Sequence, residues 1–176
     1  MAAACLDNDD TLQGMSLTGI ATERSLEAHV ALFAWNQLLL QQDNMQGFAW
    51  NALQTTYSSE FLYRNQPRLS TWIETMCQTN SCRGIQALLQ QAYPPREDPW
   101  HVSNMARRLV EKQKHVKGQF IAGQLDVMAP RAKVEQLASM LDWSAPTIVP
   151  NCGHAVPVEA GREWRQHVLN YLETLE

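Results

Sequence analysis

No run of 18 consecutive apolar residues occurs in this sequence of 176 residues, and its opening stretch, MAAACLDNDDTLQG, holds neither a basic segment nor an apolar one. A membrane-spanning helix needs about 20 apolar residues, and a secretory leader needs a charged start followed by an apolar stretch. The expectation is a soluble, cytoplasmic chain with no membrane partner. Basic clusters are missing too: 14 Lys and Arg are outnumbered by 18 Asp and Glu, for a net charge of −4. That balance argues against a nucleic-acid partner. Four cysteines, Cys5, Cys77, Cys82 and Cys152, are too few for a disulfide scaffold in a chain this long. They read as reduced thiols. No second Cys or His pair at zinc spacing accompanies Cys77 and Cys82, so neither a metal nor a cofactor is expected. Internal repeats and low-complexity segments are also lacking.

What is present falls into three stretches. Residues 1 to 20 read as a polar lead-in, with Asp7, Asn8, Asp9 and Asp10 in a row. Within it, Gly14-Met15-Ser16-Leu17-Thr18-Gly19 comes one residue short of the G-x-S-x-G nucleophile elbow, because Thr18 stands where Gly is needed. The elbow also needs a buried apolar strand directly before it, and Asp9-Asp10-Thr11-Leu12-Gln13 is not one. Ser16 is therefore the only nucleophile candidate on motif grounds, and its expected place is a loop or a strand end.

Residues 21 to 112 are dense in helix formers. Thr22 to Leu40 carries Leu26, Val30, Phe33 and Leu38 at roughly helical spacing, with Trp35 and Leu39 making the helix apolar nearly all round. Such a helix calls for burial on more than one side. A second helix fits Met45, Phe48, Ala49, Ala52 and Leu53, capped by Asp43. A short turn over Ser59 to Tyr63, a helix behind Pro67 with Leu69, Trp72, Ile73 and Met76, and one through Ile85, Leu88, Leu89 and Ala92 follow. Tyr93 to Glu97 breaks the pattern. Asp98-Pro99 then reads as an N-cap and first-turn proline for a helix with Val102, Met105, Ala106 and Leu109. Aromatic positions such as Trp35, Phe48 and Trp72 are explained by core packing; the functional reading makes those three the lining of an apolar substrate pocket.

From residue 113 the period changes. Val116 to Gly123 is strand-like around Phe120-Ile121-Ala122, and Thr147-Ile148-Val149 is a second short strand. Between them Val134, Leu137, Ala138 and Leu141 make an amphipathic helix behind Pro130. The unit is βαβ, hence a parallel pair with a right-handed crossover. A final helix places Trp164, Val168, Tyr171 and Leu172 on one face. Two short parallel strands are not a stable sheet by themselves, so a larger sheet is expected. Asp126 and His154 each fall just beyond a strand end, which is where open parallel sheets hold their chemistry. Cys152 lies near His154, but activating a thiolate requires contact. His29, His101, His115 and His167 sit on separate segments with no shared site.

Gly123-Gln124-Leu125-Asp126 with Pro130, followed by Cys152-Gly153-His154 and Glu159, resembles the C-terminal portion of the α/β-hydrolase fold family. There a G-x-x-D-x-x-x-P loop carries the acid and a G-H loop after the last strand carries the histidine. The resemblance covers roughly residues 15 to 176. The helical region then looks like the lid inserted before the last two strands, and Tyr57 to Leu62 with Asn65-Gln66-Pro67 is similar to lids of small ester, lactone and carbamate hydrolases. The family's first strands, oxyanion loop and elbow have no counterpart here, and Ala160-Gly161 stands where a Pro usually follows the glutamate.

The resemblance implies a partial α/β-hydrolase fold: a polar lead-in (1–20), a helical lid (21–112) and a core segment (113–176). It implies that His154 is the base and Asp126 the orienting acid of a Ser-His-Asp triad. The nucleophile would come from a second polypeptide or a missing N-terminal half, and the substrate would be a small ester, thioester, lactone or amide. The isolated chain would be inactive. The alternative is a non-catalytic interaction protein of the same fold; an acyltransferase or lyase is a third option.

Overall fold

The structure is a computed structural model that describes residues 12–42, 44–91, 96–111 and 116–175. Its centre is a parallel sheet of three strands in the order β1 (Gly14–Thr18), β2 (Lys117–Gly123), β3 (Thr147–Val149). The register pairs Ser16 with Gln119 and Thr18 with Ile121 on one side of β2, and Ile121 with Thr147 and Gly123 with Val149 on the other. β2 is thus the middle strand, and its side chains alternate between two covered faces. Phe120 and Ala122 pack with Val134, Leu137 and Ala138, while Ile121 packs with Val149, Cys152 and Val156. Burial on both faces is what a parallel sheet requires.

β1 corrects the sequence reading, which expected two strands in this chain and placed Ser16 in a loop or at a strand end within a polar lead-in. The strand hides because only Met15 and Leu17 are apolar. Leu17 joins the Phe120 layer. On the opposite face Ser16 Oγ accepts from Gln119 Nε2 at 2.9 Å, and Thr18 Oγ1 accepts from Trp164 Nε1 at 3.0 Å. A strand with polar partners on one face offers no apolar run to detect.

Between β1 and β2 the chain makes α1 (Leu26–Gln42), α2 (Met45–Thr56), α3 (Ser59–Arg64), a 3₁₀ turn at Gln66–Arg68, α4 (Leu69–Thr79), α5 (Cys82–Gln91) and α6 (Val102–Glu111). Asp43, the expected cap of α2, lies outside the described residues, as do residues 92–95 of the proline break and residues 112–115. The α2 cap is Asn44, whose side chain accepts from the Gly47 N–H at 2.8 Å. Asp98 caps a turn instead of a helix: its Oδ1 accepts from Trp100 N at 2.8 Å and α6 starts later, at Val102. α6 differs from α1 to α5 in location, since Ala106 packs into the Phe120 layer on the sheet. Beyond β2 come α7 (Arg131–Met140), the short α8 (Val156–Glu159) and α9 (Gly161–Glu173). Trp164 and Val168 of α9 cover the Ile121 face, whereas Leu172 is exposed. Among the described residues no helix is long and apolar enough to cross a membrane.

α1 departs from expectation in an instructive way. Its buried face is Ala28, Leu32, Trp35 and Leu39, with Leu38 partly buried against it, while three of the four residues that marked it as helical lie opposite, Leu26 at 76 %, Val30 at 62 % and Phe33 at 68 % exposure. One side is packed and the other is open. Trp35 meets Phe48 edge-to-face at 5.6 Å and donates from Nε1 to Asn51 Oδ1 at 2.8 Å. Replacing Phe33 by Gln should change unfolding free energy by no more than about 0.5 kcal/mol. Trp35→Ala should cost about 3 to 5 kcal/mol. Urea denaturation followed by circular dichroism reads both.

Candidate active site

Asp126 sits in the turn leaving β2. Gln124 N donates to Val149 O and Leu125 N to Cys152 O, both at 2.9 Å, so the turn is laced to the segment following β3. The carboxylate is buried, its side chain fully shielded from solvent. Oδ1 accepts from the backbone N–H groups of Met128 and Ala129, each at 2.8 Å, which closes the loop that leads into α7. Oδ2 is left for one other partner. That partner is His154, whose Nδ1 lies 2.9 Å away.

His154 arrives from the other direction, on the turn after β3. Its backbone N–H donates to Thr56 O, at the end of α2, at 2.8 Å. The side chain is 32 % exposed, so the imidazole bridges a buried carboxylate and an open surface. An aspartate holding Nδ1 selects the tautomer with the proton on that nitrogen, which leaves Nε2 as the acceptor. Gly19, the residue after β1, completes the neighbourhood. It has φ +65°, which favours glycine, and a Cβ there would stand 3.0 Å from His154 Cε1. The sequence reading did not single out Gly19; an alternating M-S-L-T run ending in glycine is the signal that could have found it.

The other candidates are placed elsewhere. Ser16 lies in the middle of β1, two residues before the strand's C-terminal end, with its hydroxyl bonded to Gln119 on the α9 face. A residue advances about 3.3 Å along a strand, so Ser16 is set back from the edge that carries Asp126 and His154. Trp35 and Phe48 are packed against each other between α1 and α2, and Trp72 stacks on Phe61 with ring centroids 6.1 Å apart. His29 meets Ser25 O, His101 accepts from Ser103 N, and His167 faces Glu163. His115 lies outside the described residues.

Cys152 is buried, and its thiol is pushed up to about 12, first by burial and then by the carboxylates of Glu159, Glu163 and Asp126. A thiol that stays protonated at neutral pH is no nucleophile.

A parallel sheet covered by helices on both faces, with a run of helices inserted ahead of its last two strands, is the architecture of the α/β-hydrolase fold. The chain has this fold over the portion it spans. It is similar to the solved structures of a thermophilic esterase from Thermogutta terrifontis (18 % identity, TM-score 0.65), the enol-lactonase from Burkholderia xenovorans LB400 (15 %, 0.70) and MGS-M2, an α/β hydrolase from a Medee basin deep-sea metagenome library (16 %, 0.72). The matches cover 99, 97 and 98 % of this chain but only 61, 60 and 60 % of those chains respectively. No family model and no curated protein matches the sequence.

Asp126→Ala strands two backbone donors in the loop before α7 and should lower stability by at least about 2 kcal/mol in thermal or chemical unfolding. Asp126→Asn keeps the volume but should abolish the downfield NMR resonance expected for the His154 Nδ1 proton. At pH 8, a thiol of pKa about 12 is ionised in only about one molecule in 10⁴. Iodoacetamide should therefore modify half-buried Cys77 well before Cys152 in the folded protein, as peptide mass spectrometry would reveal.

Proposed function

We propose that His154 and Asp126 are the general base and orienting acid of a serine-hydrolase triad that acts on a small ester, thioester, lactone or amide. The serine is supplied by polypeptide outside the described residues. The observation that carries this reading is the contact of 2.9 Å between His154 Nδ1 and Asp126 Oδ2, with the acid buried and the imidazole reaching the surface. That division suits a base whose Nε2 takes a proton from a hydroxyl while the aspartate stabilises the imidazolium.

Two further facts support it. An esterase and an enol-lactonase are among the similar structures, both longer than this chain. Among the described residues β1 pairs only with β2, leaving its other edge for the strands that would hold an elbow. Neither Ser16 nor Cys152 is placed or ionised to serve instead.

The 176-residue chain alone should hydrolyse p-nitrophenyl acetate no faster than buffer. Assembled with the polypeptide bearing a G-x-S-x-G serine, it should yield a complex that a fluorophosphonate probe labels. His154→Ala should slow that complex by about 10²- to 10⁴-fold. Turnover by the isolated chain, lost in His154→Ala, would put a nucleophile in this chain. Stable assembly without labelling would leave a binding protein.

A further inference from the structure

We infer that Glu159 is a positioning residue for His154: its carboxylate bridges the histidine loop to the start of α3, so the lid and the imidazole are held as one unit. The inference rests on the reading of His154 as a base, which it deepens. Glu159 closes α8, five residues after the histidine, and its own N–H donates to Ala155 O at 3.0 Å, folding the side chain back over the loop. Oε1 accepts from Gly153 N at 2.8 Å and Oε2 from Ser58 N at 3.1 Å. The two donors belong to segments about a hundred residues apart in sequence. Charge-assisted bonds of this kind are roughly twice as strong as neutral ones.

The surroundings converge on the same point. His154 N and Ala155 N both donate to Thr56 O, at 2.8 and 3.3 Å. Residues 153, 154 and 155 are therefore all tied by their N–H groups to the link between α2 and α3, directly or through Glu159. Gly153 is required by the clamp itself: a Cβ there would meet Glu159 Oε1 at 2.7 Å, Thr56 O at 2.8 Å and Ser58 N at 2.9 Å. Ser58 is buried, and its Oγ accepts from Phe61 N at 3.2 Å as the cap of α3, so the lid side of the clamp is itself anchored. The charge is felt locally, since the Tyr57 phenol is pushed up by burial and then by Glu159.

Both partners of Glu159 are donors, so only a carboxylate satisfies both. A glutamine offers one acceptor oxygen and turns its NH₂ toward the other N–H. Glu159→Gln is thus the diagnostic variant and Glu159→Ala the stronger one. The readout is the His154 Nδ1 proton in NMR spectra of the full chain. The signal should be sharp in the parent protein, broadened in Glu159→Gln and lost in Glu159→Ala, while methyl signals of Val134 and Leu137 keep their positions. A Leu137→Ala control, equally destabilised, should retain it.

An unchanged signal in Glu159→Gln, or its equal loss in Leu137→Ala, would overturn the inference, and the glutamine variant decides the matter if the alanine variant does not fold. Because imidazole order and not turnover is read, a chain that proved non-catalytic would remove the proposed function and leave this result standing.

Discussion

The burial of β2 on both faces is the constraint on which the remaining architecture depends. Phe120 and Ala122 must be covered on one side and Ile121 on the other. This forces helices onto both faces, and covering helices force the chain to cross over between strands that run parallel. Parallel strands bring their C-terminal ends to one edge. Gly19, Asp126 and His154, which are distant in sequence, meet there as a consequence of that direction and not of any local preference of their own.

At that edge the polar groups are arranged by what each oxygen has left to accept. Asp126 spends Oδ1 on two backbone donors, which fixes the carboxylate before the histidine is considered, and Oδ2 then has one direction to face. Glu159 performs the complementary task on the backbone of the residue before the histidine, accepting from Gly153 N. A carboxylate whose two oxygens each face a fixed donor loses little on reorganisation, and fixed polar groups of this kind are what a preorganised site consists of. Under the proposed reading the two carboxylates divide the work: one orients the ring, the other orients the loop that carries it.

How much of this was legible in the sequence follows from which signals were redundant. The β2–α7–β3 unit was readable because Phe120-Ile121-Ala122 is continuously apolar and Val134, Leu137 and Ala138 repeat at helical spacing. Asp126 and His154 were readable because glycine and an acid or imidazole mark strand ends. β1 was not, because Ser16 and Thr18 satisfy their hydroxyls on Gln119 and Trp164, partners more than a hundred residues away. α1 was legible as a helix but not as to its face: when both sides are apolar, periodicity cannot say which side is packed. Only the contact of Trp35 with Phe48 and Asn51 decides it. The partners of Glu159 were invisible for the same reason as β1, since a carboxylate bound to backbone N–H groups leaves no trace in the partner's side chain.

The placement of Ser16 bears most directly on what the chain can do. A nucleophilic serine must present Oγ beyond a strand end, on a turn tight enough to expose it. Ser16 instead pairs within a ladder, opposite Gln119, and its hydroxyl already accepts a hydrogen bond from that residue's side chain. Moving it to the edge would mean sliding β1 by two residues, which would carry Leu17 out of register with Phe120 and disturb the packed face that sets the sheet. The cost of that slide falls on the core and not on the site. The register that places Gly19 against His154 is therefore also the register that withholds Ser16 from it, and under the proposed reading the serine that meets Nε2 must approach across the exposed side of the imidazole.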